Sequence, residues 1–188
     1  VVPPWTYMHE KDKAEKRWPA AEKYIMEKKL NEVFGPDKAE IGIVCQGGMY
    51  NGVVRALQRI GLADIYGKTE VPIYCLNVTY PLVNEEFLKF CEGKSSVLVV
   101  EEGAPDFIEQ ALTTMVYRSD SKVKLFGRKY LPSVGELTGQ VMLDSIVAYL
   151  KDVAPDMLPG KGRAPNTPEP EIPDLSLIHI SEPTRLRR

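Results

Sequence analysis

Short apolar runs alternate with amphipathic segments from Glu40 to Lys151. The runs predict four strands, at residues 41–45, 71–78, 96–100 and 122–126. The third run, Ser96 to Val100, is continuously apolar, which is typical of a strand covered on both faces of a sheet. Each strand is followed by a segment with helical spacing, so four βα pairs are expected. This alternation predicts an α/β, Rossmann-like fold with a mostly parallel sheet and helices on both faces.

The four helices of this region have recognisable ends. The first helix should end at Gly61, and the second should be capped by Asn84. The third should open at Pro105, and the fourth should run from about Thr138 to Lys151. Before this region, the Lys/Glu-rich stretch from His9 to Asn31 predicts one or two surface helices that end near Gly35. After it, six prolines between Pro155 and Pro173 predict an extended linker. We therefore expect a helical segment over 1–39, an α/β domain over 40–151 and a Pro-rich linker over 152–174.

The last segment, 175–188, shares no periodicity with what precedes it. The codons CTG-TCT-CTT-ATA-CAC-ATC-TCC would encode Leu175 to Ser181, and this DNA resembles the transposon mosaic-end adapter of sequencing libraries. We expect 175–188 to be an adapter artefact and the natural reading frame to continue past Asp174. Since the chain starts with Val1, we also expect a preceding segment. The tail is therefore left out of the fold prediction.

Composition excludes several classes of function. The chain has 188 residues, 44% of them hydrophobic, and a formal charge of −2, with no apolar run of membrane-spanning length. We expect neither a nucleic-acid partner nor a membrane. The three cysteines have no CxxC spacing, so a metal or cluster site made by this chain alone is not expected. Their use favours a reducing compartment, the cytoplasm.

Candidate chemistry lies at the predicted carboxyl ends of the strands, where parallel α/β folds place ligands. Gln46, Gly47 and Gly48 follow the first strand and open a helix, a position suited to an anion. The alternative is that the two glycines permit a sharp turn and a close approach of helix and strand. Cys45 lacks an activating base in the core, so cysteine catalysis is not favoured.

Two further strand ends carry polar or aromatic residues. Glu101 and Glu102 follow the third strand, and as neighbours they should point to opposite sides of the sheet. We expect a solvated or interface role in preference to acid/base chemistry, with one of them binding a partner's donor or capping, by an indirect contact, the helix that Pro105 opens. Tyr80, before Pro81, predicts a rigid turn. These residues alone would also suit a free-standing Rossmann-like module that binds a nucleotide or acyl-CoA.

Three long motifs add a family resemblance. They are Ile41-Gly-Ile-Val-Cys-Gln-Gly-Gly-Met-Tyr-Asn-Gly52, Leu76-Asn-Val-Thr-Tyr-Pro-Leu82, and Val99-Val-Glu-Glu-Gly103 with Phe107-Ile-Glu109. Together they resemble indolepyruvate ferredoxin oxidoreductase, a thiamine-dependent 2-oxoacid:ferredoxin oxidoreductase. The resemblance covers roughly Trp5 to Lys151. It implies a transketolase C-terminal-like domain that lies between a missing pyrimidine-binding domain and a missing diphosphate-binding domain.

The reaction that the resemblance implies is oxidative decarboxylation of aryl 2-oxoacids to acyl-CoA, with electrons passed to ferredoxin. Thiamine diphosphate, Mg²⁺ and [4Fe-4S] clusters are implied for the full enzyme, with other domains or subunits as partners in a homo- or hetero-oligomer. This chain has no Gly-Asp-Gly motif and no closely spaced cysteines. We therefore expect it to bind no cofactor and to hold no catalytic residue, and to be inactive alone. Six residues stay as interface or substrate-side candidates: Gln46, Gly47, Gly48, Tyr80, Glu101 and Glu102.

Overall fold

The computed structural model describes residues 3–158 and places five strands in one sheet. The strands are β1 (Glu32–Phe34), β2 (Ile41–Gln46), β3 (Ile73–Leu76), β4 (Ser96–Val100) and β5 (Lys124–Phe126). Their order across the sheet is β1-β3-β2-β4-β5, and β2 to β5 are parallel. The predicted α/β fold with a mostly parallel sheet is confirmed.

Within residues 3–158, six α-helices flank or precede the sheet. They are α1 (Trp5–Asp12), α2 (Trp18–Lys28), α3 (Tyr50–Arg59), α4 (Asn84–Cys91), α5 (Phe107–Tyr117) and α6 (Gly139–Val153). The last four follow β2, β3, β4 and β5 in turn, so the four predicted βα pairs are all present. None of the helices in the described part of the chain combines the length and apolarity that crossing a membrane would require.

Alternating residues of the strands divide the core into two apolar layers. Ile43 and Cys45 face one side, where α3 and α6 pack, whereas Val44 faces the other side with α4 and α5. β4 is buried along its whole length, as its continuously apolar sequence predicts. Helices therefore cover both faces of the central strands and leave the strand ends as the accessible edges of the sheet.

The N-terminal helices extend the fold before the sheet. A π-helical turn, Lys13–Arg17, joins α1 to α2, and Pro19 stands in the first turn of α2. Proline at this position is tolerated because its missing N–H falls next to the irregular turn. The predicted surface helices are confirmed, but they end at Lys28 rather than near Gly35, because Lys29 adopts a left-handed conformation (φ 50°).

β1 lies in the stretch that the sequence assigned to the helical segment 1–39. It pairs antiparallel with β3, so that Val33 stands beside Tyr74. The sheet therefore begins at Glu32 rather than Glu40. A three-residue edge strand between a charged helix and a turn carries too short a pattern to be recognised from periodicity.

Two predicted helix starts are corrected. Val83 is the N-cap residue of α4, and Asn84 is already the first helical residue, with no side-chain cap. The helix expected to open at Pro105 begins at Phe107. Thr138 does cap α6 through its hydroxyl. Of the predicted Pro-rich linker, the first residues form a short 3₁₀ turn, Pro155–Met157; the rest of it and the 175–188 expectation lie outside the described residues.

Candidate functional site

The carboxyl edge of the parallel strands brings together three of the six candidate residues. Gln46 is the last residue of β2, and Glu101 and Glu102 directly follow β4, its neighbour in the sheet. The side-chain oxygen of Gln46 accepts the backbone N–H of Glu102 at 3.0 Å. The topology therefore joins these two strand ends by a hydrogen bond.

Glu101 is a helix-capping residue. It is 6% exposed, and both of its carboxylate oxygens lie 3.0 Å from the backbone nitrogen of Ile108, with one of them also 3.1 Å from that of Glu109. These N–H groups lie in the first turn of α5, where backbone N–H groups have no carbonyl acceptor within the helix. A carboxylate at this end also suits the positive end of the helix dipole. From the sequence we expect one of the glutamates to cap this helix by an indirect contact, whereas in the structure the contact is direct.

Glu102 serves the opposite side of the sheet. Its carboxylate accepts the backbone N–H of Leu137 at 2.8 Å, in the loop between β5 and α6. Leu137 packs against the layer of α3 and α6, whereas Ile108 belongs to the layer of α4 and α5. The prediction that the two glutamates point apart is confirmed. Each of the two carboxylates thus binds at least one backbone N–H group of its own chain.

The two glycines after β2 have different surroundings. A Cβ on Gly47 would lie 2.8 Å from the side-chain oxygen of Asn77, whereas nothing lies within 4 Å of a Cβ on Gly48. The amide of Asn77 in turn donates to the carbonyl of Leu30 and the carboxylate of Glu32. Gly47 therefore permits a close approach to the loop after β3, and Asn77 of that loop is hydrogen-bonded to the start of β1. Gly48 faces open space just before α3 begins.

Tyr80 lies apart from the hydrogen-bonded strand ends. It is 67% exposed, and its ring meets Trp18 edge to face, with the ring centroids 4.9 Å apart. The contact links the loop after β3 to the start of α2. Within residues 3–158, Tyr80 makes no hydrogen bond to Gln46, Glu101 or Glu102.

Sequence reasoning missed a second loop-holding network at this edge. The carboxylate of Glu109 accepts the backbone N–H of Arg128 at 2.9 Å, and a Cβ on Gly127 would overlap that carboxylate. The guanidinium of Arg128 donates to the carbonyls of Gly103 and Pro132. The loop after β5 is thus tied to the loop after β4. These contacts join residues far apart in sequence, so spacing alone could not reveal them.

The three cysteines do not form a reactive or metal-binding group. Cys45 and Cys75 are register partners on the side of α3 and α6, whereas Cys91 lies in the opposite layer. A hydrogen bond with Cys75 and burial raise the pKa of Cys45, and burial raises the pKa of Cys91 to about 12. Residues 3–158 contain no cluster of three or more His, Cys, Asp or Glu side chains able to hold a metal. The described cysteines therefore do not fit an iron–sulfur cluster.

Comparison with known proteins identifies the family. The family profile described as the indolepyruvate oxidoreductase domain matches residues 31–151. The chain belongs to the indolepyruvate oxidoreductase domain family. The match begins just before β1 and ends within α6, so it covers the whole sheet and all four βα pairs. The resemblance noted from the sequence motifs is thereby confirmed.

Curated relatives of this indolepyruvate oxidoreductase domain carry the name indolepyruvate oxidoreductase subunit IorA. The protein from Methanothermobacter thermautotrophicus is 32% identical over 151 residues, which are 79% of this chain and 22% of the relative. The protein from Thermococcus kodakarensis is 29% identical over 121 residues, 64% of this chain and 18% of the relative. That from Methanothermobacter marburgensis is 39% identical over 74 residues, 39% of this chain and 11% of the relative. The chain thus spans about a fifth of the length of the first two.

Proposed function

We propose that this chain is an internal domain of an indolepyruvate oxidoreductase subunit and that its role there is structural. The whole enzyme would decarboxylate aryl 2-oxoacids oxidatively to acyl-CoA and pass the electrons to ferredoxin, in the cytoplasm. Thiamine diphosphate with Mg²⁺ would supply the carbanion chemistry and [4Fe-4S] clusters the electron path, both held by other parts of the enzyme. The family match over the whole sheet is the observation that carries this proposal.

The state of the strand-end carboxylates supports a structural role. Glu101 binds the first turn of α5, and Glu102 binds the loop before α6. Gln46 joins β2 to the same loop system through the N–H of Glu102. Both oxygens of the Glu101 carboxylate accept backbone N–H groups, and Glu102 and Gln46 each accept one such group through a single oxygen. The carboxyl edge is thus a rigid frame.

Exposed apolar side chains make this edge suitable for contact with a neighbouring domain. Tyr80 follows β3, Phe107 follows β4 and Val134 follows β5, and they are 67%, 68% and 79% exposed. Large apolar groups left in water at successive strand ends favour burial against another surface. In the proposal, the missing domains of the same enzyme, in a homo- or hetero-oligomer, supply that surface.

Calorimetric titration of the 188-residue chain separates this proposal from that of a free-standing binding module. We expect no saturable heat with thiamine diphosphate and Mg²⁺, with ATP, with NADH or with coenzyme A. Saturable binding of ATP, NADH or coenzyme A with a Kd of about 10 μM or less would instead show a module that takes a nucleotide or acyl-CoA by itself. Circular dichroism of the same sample confirms that the chain is folded.

A further inference from the structure

A deep groove lies at the opposite, amino-terminal edge of the sheet. Its volume is about 1090 Å³, and it runs along the side of α4 past the edge strand β1. One end of the groove is lined by Glu40, Pro72 and Lys94. Glu40 and Pro72 immediately precede β2 and β3, and Lys94 lies close to the start of β4. The groove is therefore separate from the carboxyl edge, and it is large enough for a drug-sized organic molecule.

The groove exists because β1 is not covered on this face. Val33 stands beside Tyr74 in the antiparallel pair and is 56% exposed, whereas Tyr74 is 2% exposed under α4. The rings of Tyr74 and Phe90 pack together with centroids 5.5 Å apart. The groove thus has an aromatic floor and an apolar wall.

Lys94 brings a cation on a buried stem into this apolar setting. It is 9% exposed, and a Cβ on Gly42 would lie 3.1 Å from its Cδ and Cε and 2.8 Å from Cζ of Phe90. Glycine at position 42 therefore leaves a notch in β2 across which the lysine stem lies. The ammonium stands 4.6 Å from the centroid of the Phe90 ring, and no carboxylate within residues 3–158 is in ion-pair contact with it.

The acidic groups around the groove leave Lys94 without direct compensation. Glu86 accepts hydrogen bonds from Tyr74 at 2.9 Å and from Asn31 at 3.1 Å. Asp37 and Glu92 act on the ammonium only at longer range, and burial lowers the pKa of Lys94 below its ordinary value in spite of them. The ammonium of Lys94 therefore stands over the Phe90 ring with no carboxylate in contact, and it is available to pair with an anion that enters the groove.

We propose that this groove binds an organic carboxylate with an apolar body. The carboxylate would pair with the ammonium of Lys94, and the apolar part would lie between Val33 and the aromatic floor of Tyr74 and Phe90. The lining balances Lys94 and three exposed lysines against the carboxylates of Asp37, Glu40, Glu86 and Glu92, so Lys94, rather than a general positive charge, would select the anion. The inference does not rest on the proposed function, because the notch, the ammonium of Lys94 and the uncovered strand carry it.

Titration of the 188-residue chain with phenylacetate tests the proposal by calorimetry or by amide chemical shifts. We expect saturable binding with a Kd of about 1 mM or less. Neutral 2-phenylethanol lacks the charge and acetate lacks the ring, so each should bind at least about tenfold more weakly. Absence of saturation with phenylacetate at about 10 mM would overturn the proposal. Acetate or inorganic phosphate binding as tightly as phenylacetate would overturn the role of the apolar body.

Variants locate the site within the groove. Lys94→Met keeps the stem and removes the charge, and we expect it to weaken phenylacetate binding at least about tenfold. Lys89→Met, at an exposed lysine of the same groove, is the matched control and should change Kd less than about twofold. If Lys94→Met binds phenylacetate as tightly as the parent chain, the proposal is wrong.

A second pair of variants avoids any change in the core. Val33→Glu and Val33→Lys place opposite charges at an exposed position on the wall of the groove. We expect Val33→Glu to weaken phenylacetate binding about threefold or more, and Val33→Lys to leave it unchanged or strengthen it. Equal effects of both substitutions would contradict a carboxylate in the groove. This pair decides the question even if Lys94→Met proves unstable.

Discussion

Glu101 caps α5 from the end of β4, and its replacement should loosen the contact between sheet and helix. In Glu101→Ala, the backbone N–H groups of Ile108 and Glu109 lose the carboxylate that lies 3.0 to 3.1 Å away. The site is 6% exposed at Glu101 and 6% at Ile108, so water has little access to replace the lost acceptor. The unfolding free energy should therefore fall.

The size of the loss follows from the contacts removed. Loss of a side-chain cap costs about 0.5–2 kcal/mol, and a hydrogen bond to a charged group contributes about 1.5–3 kcal/mol. Because both figures describe the same contact, they are not added, and we expect Glu101→Ala to lower the unfolding free energy by about 1.5–3 kcal/mol. Glu101→Gln keeps the shape and one carbonyl oxygen, so it should cost roughly half as much.

Urea unfolding followed by circular dichroism at 222 nm measures these differences. Glu85→Gln is the matched control, because Glu85 is an exposed acidic residue in the first turn of α4 and makes no cap contact. We expect this control to change stability by less than about 0.5 kcal/mol. A change of less than about 0.5 kcal/mol in Glu101→Ala would refute the capping role and reopen Glu101 as a substrate-side residue.

Three further predictions concern buried positions. Burial raises the pKa of Tyr149 from 10.0 to about 12, so the stability that the neutral phenol contributes below pH 10 is lost as the pH rises through 12. This loss in unfolding free energy amounts to up to about 3 kcal/mol, and Tyr149→Phe should abolish it. In Gly127→Ala the new Cβ displaces the Glu109 carboxylate, and chemical unfolding should show a loss of about 1–3 kcal/mol, whereas Gly48→Ala, in open space, should be nearly neutral. Lys94→Met should raise the free energy of chemical unfolding by about 1 kcal/mol, because the lysine ammonium is partly desolvated beside Phe90 with no carboxylate in contact; an unchanged or lower value would contradict that reasoning.

The alternation of apolar runs and amphipathic helices was sufficient to predict the sheet and its two helical layers. The run from Ser96 to Val100 is buried throughout, because a central parallel strand needs apolar side chains on both faces. The divergence of Glu101 and Glu102 also followed from strand geometry alone. These features depend on local patterns of five or more residues, which the sequence displays directly.

Contacts between distant residues could not be predicted in this way. The edge strand containing Val33 is short and owes its place to pairing with β3 rather than to its own pattern. A cap on α5 from one of the two glutamates was expected, but only the fold shows that it is Glu101 and that it contacts the N–H of Ile108 directly. The notch at Gly42 acquires meaning only when Lys94 is seen to cross it. Such features require the fold before they can be recognised.

A chimera tests the central claim most directly. Residues 31–151 of this chain would replace the matching segment of the Methanothermobacter thermautotrophicus IorA protein, and indolepyruvate-dependent reduction of ferredoxin would be measured in the assembled enzyme. The account predicts that the chimera assembles and keeps at least about a tenth of the parent activity, because the domain frames the enzyme without contributing a catalytic residue. A chimera that assembles but has no activity would contradict the structural role. One that cannot assemble, beside a parent that does, would contradict the claim that this domain frames such an enzyme.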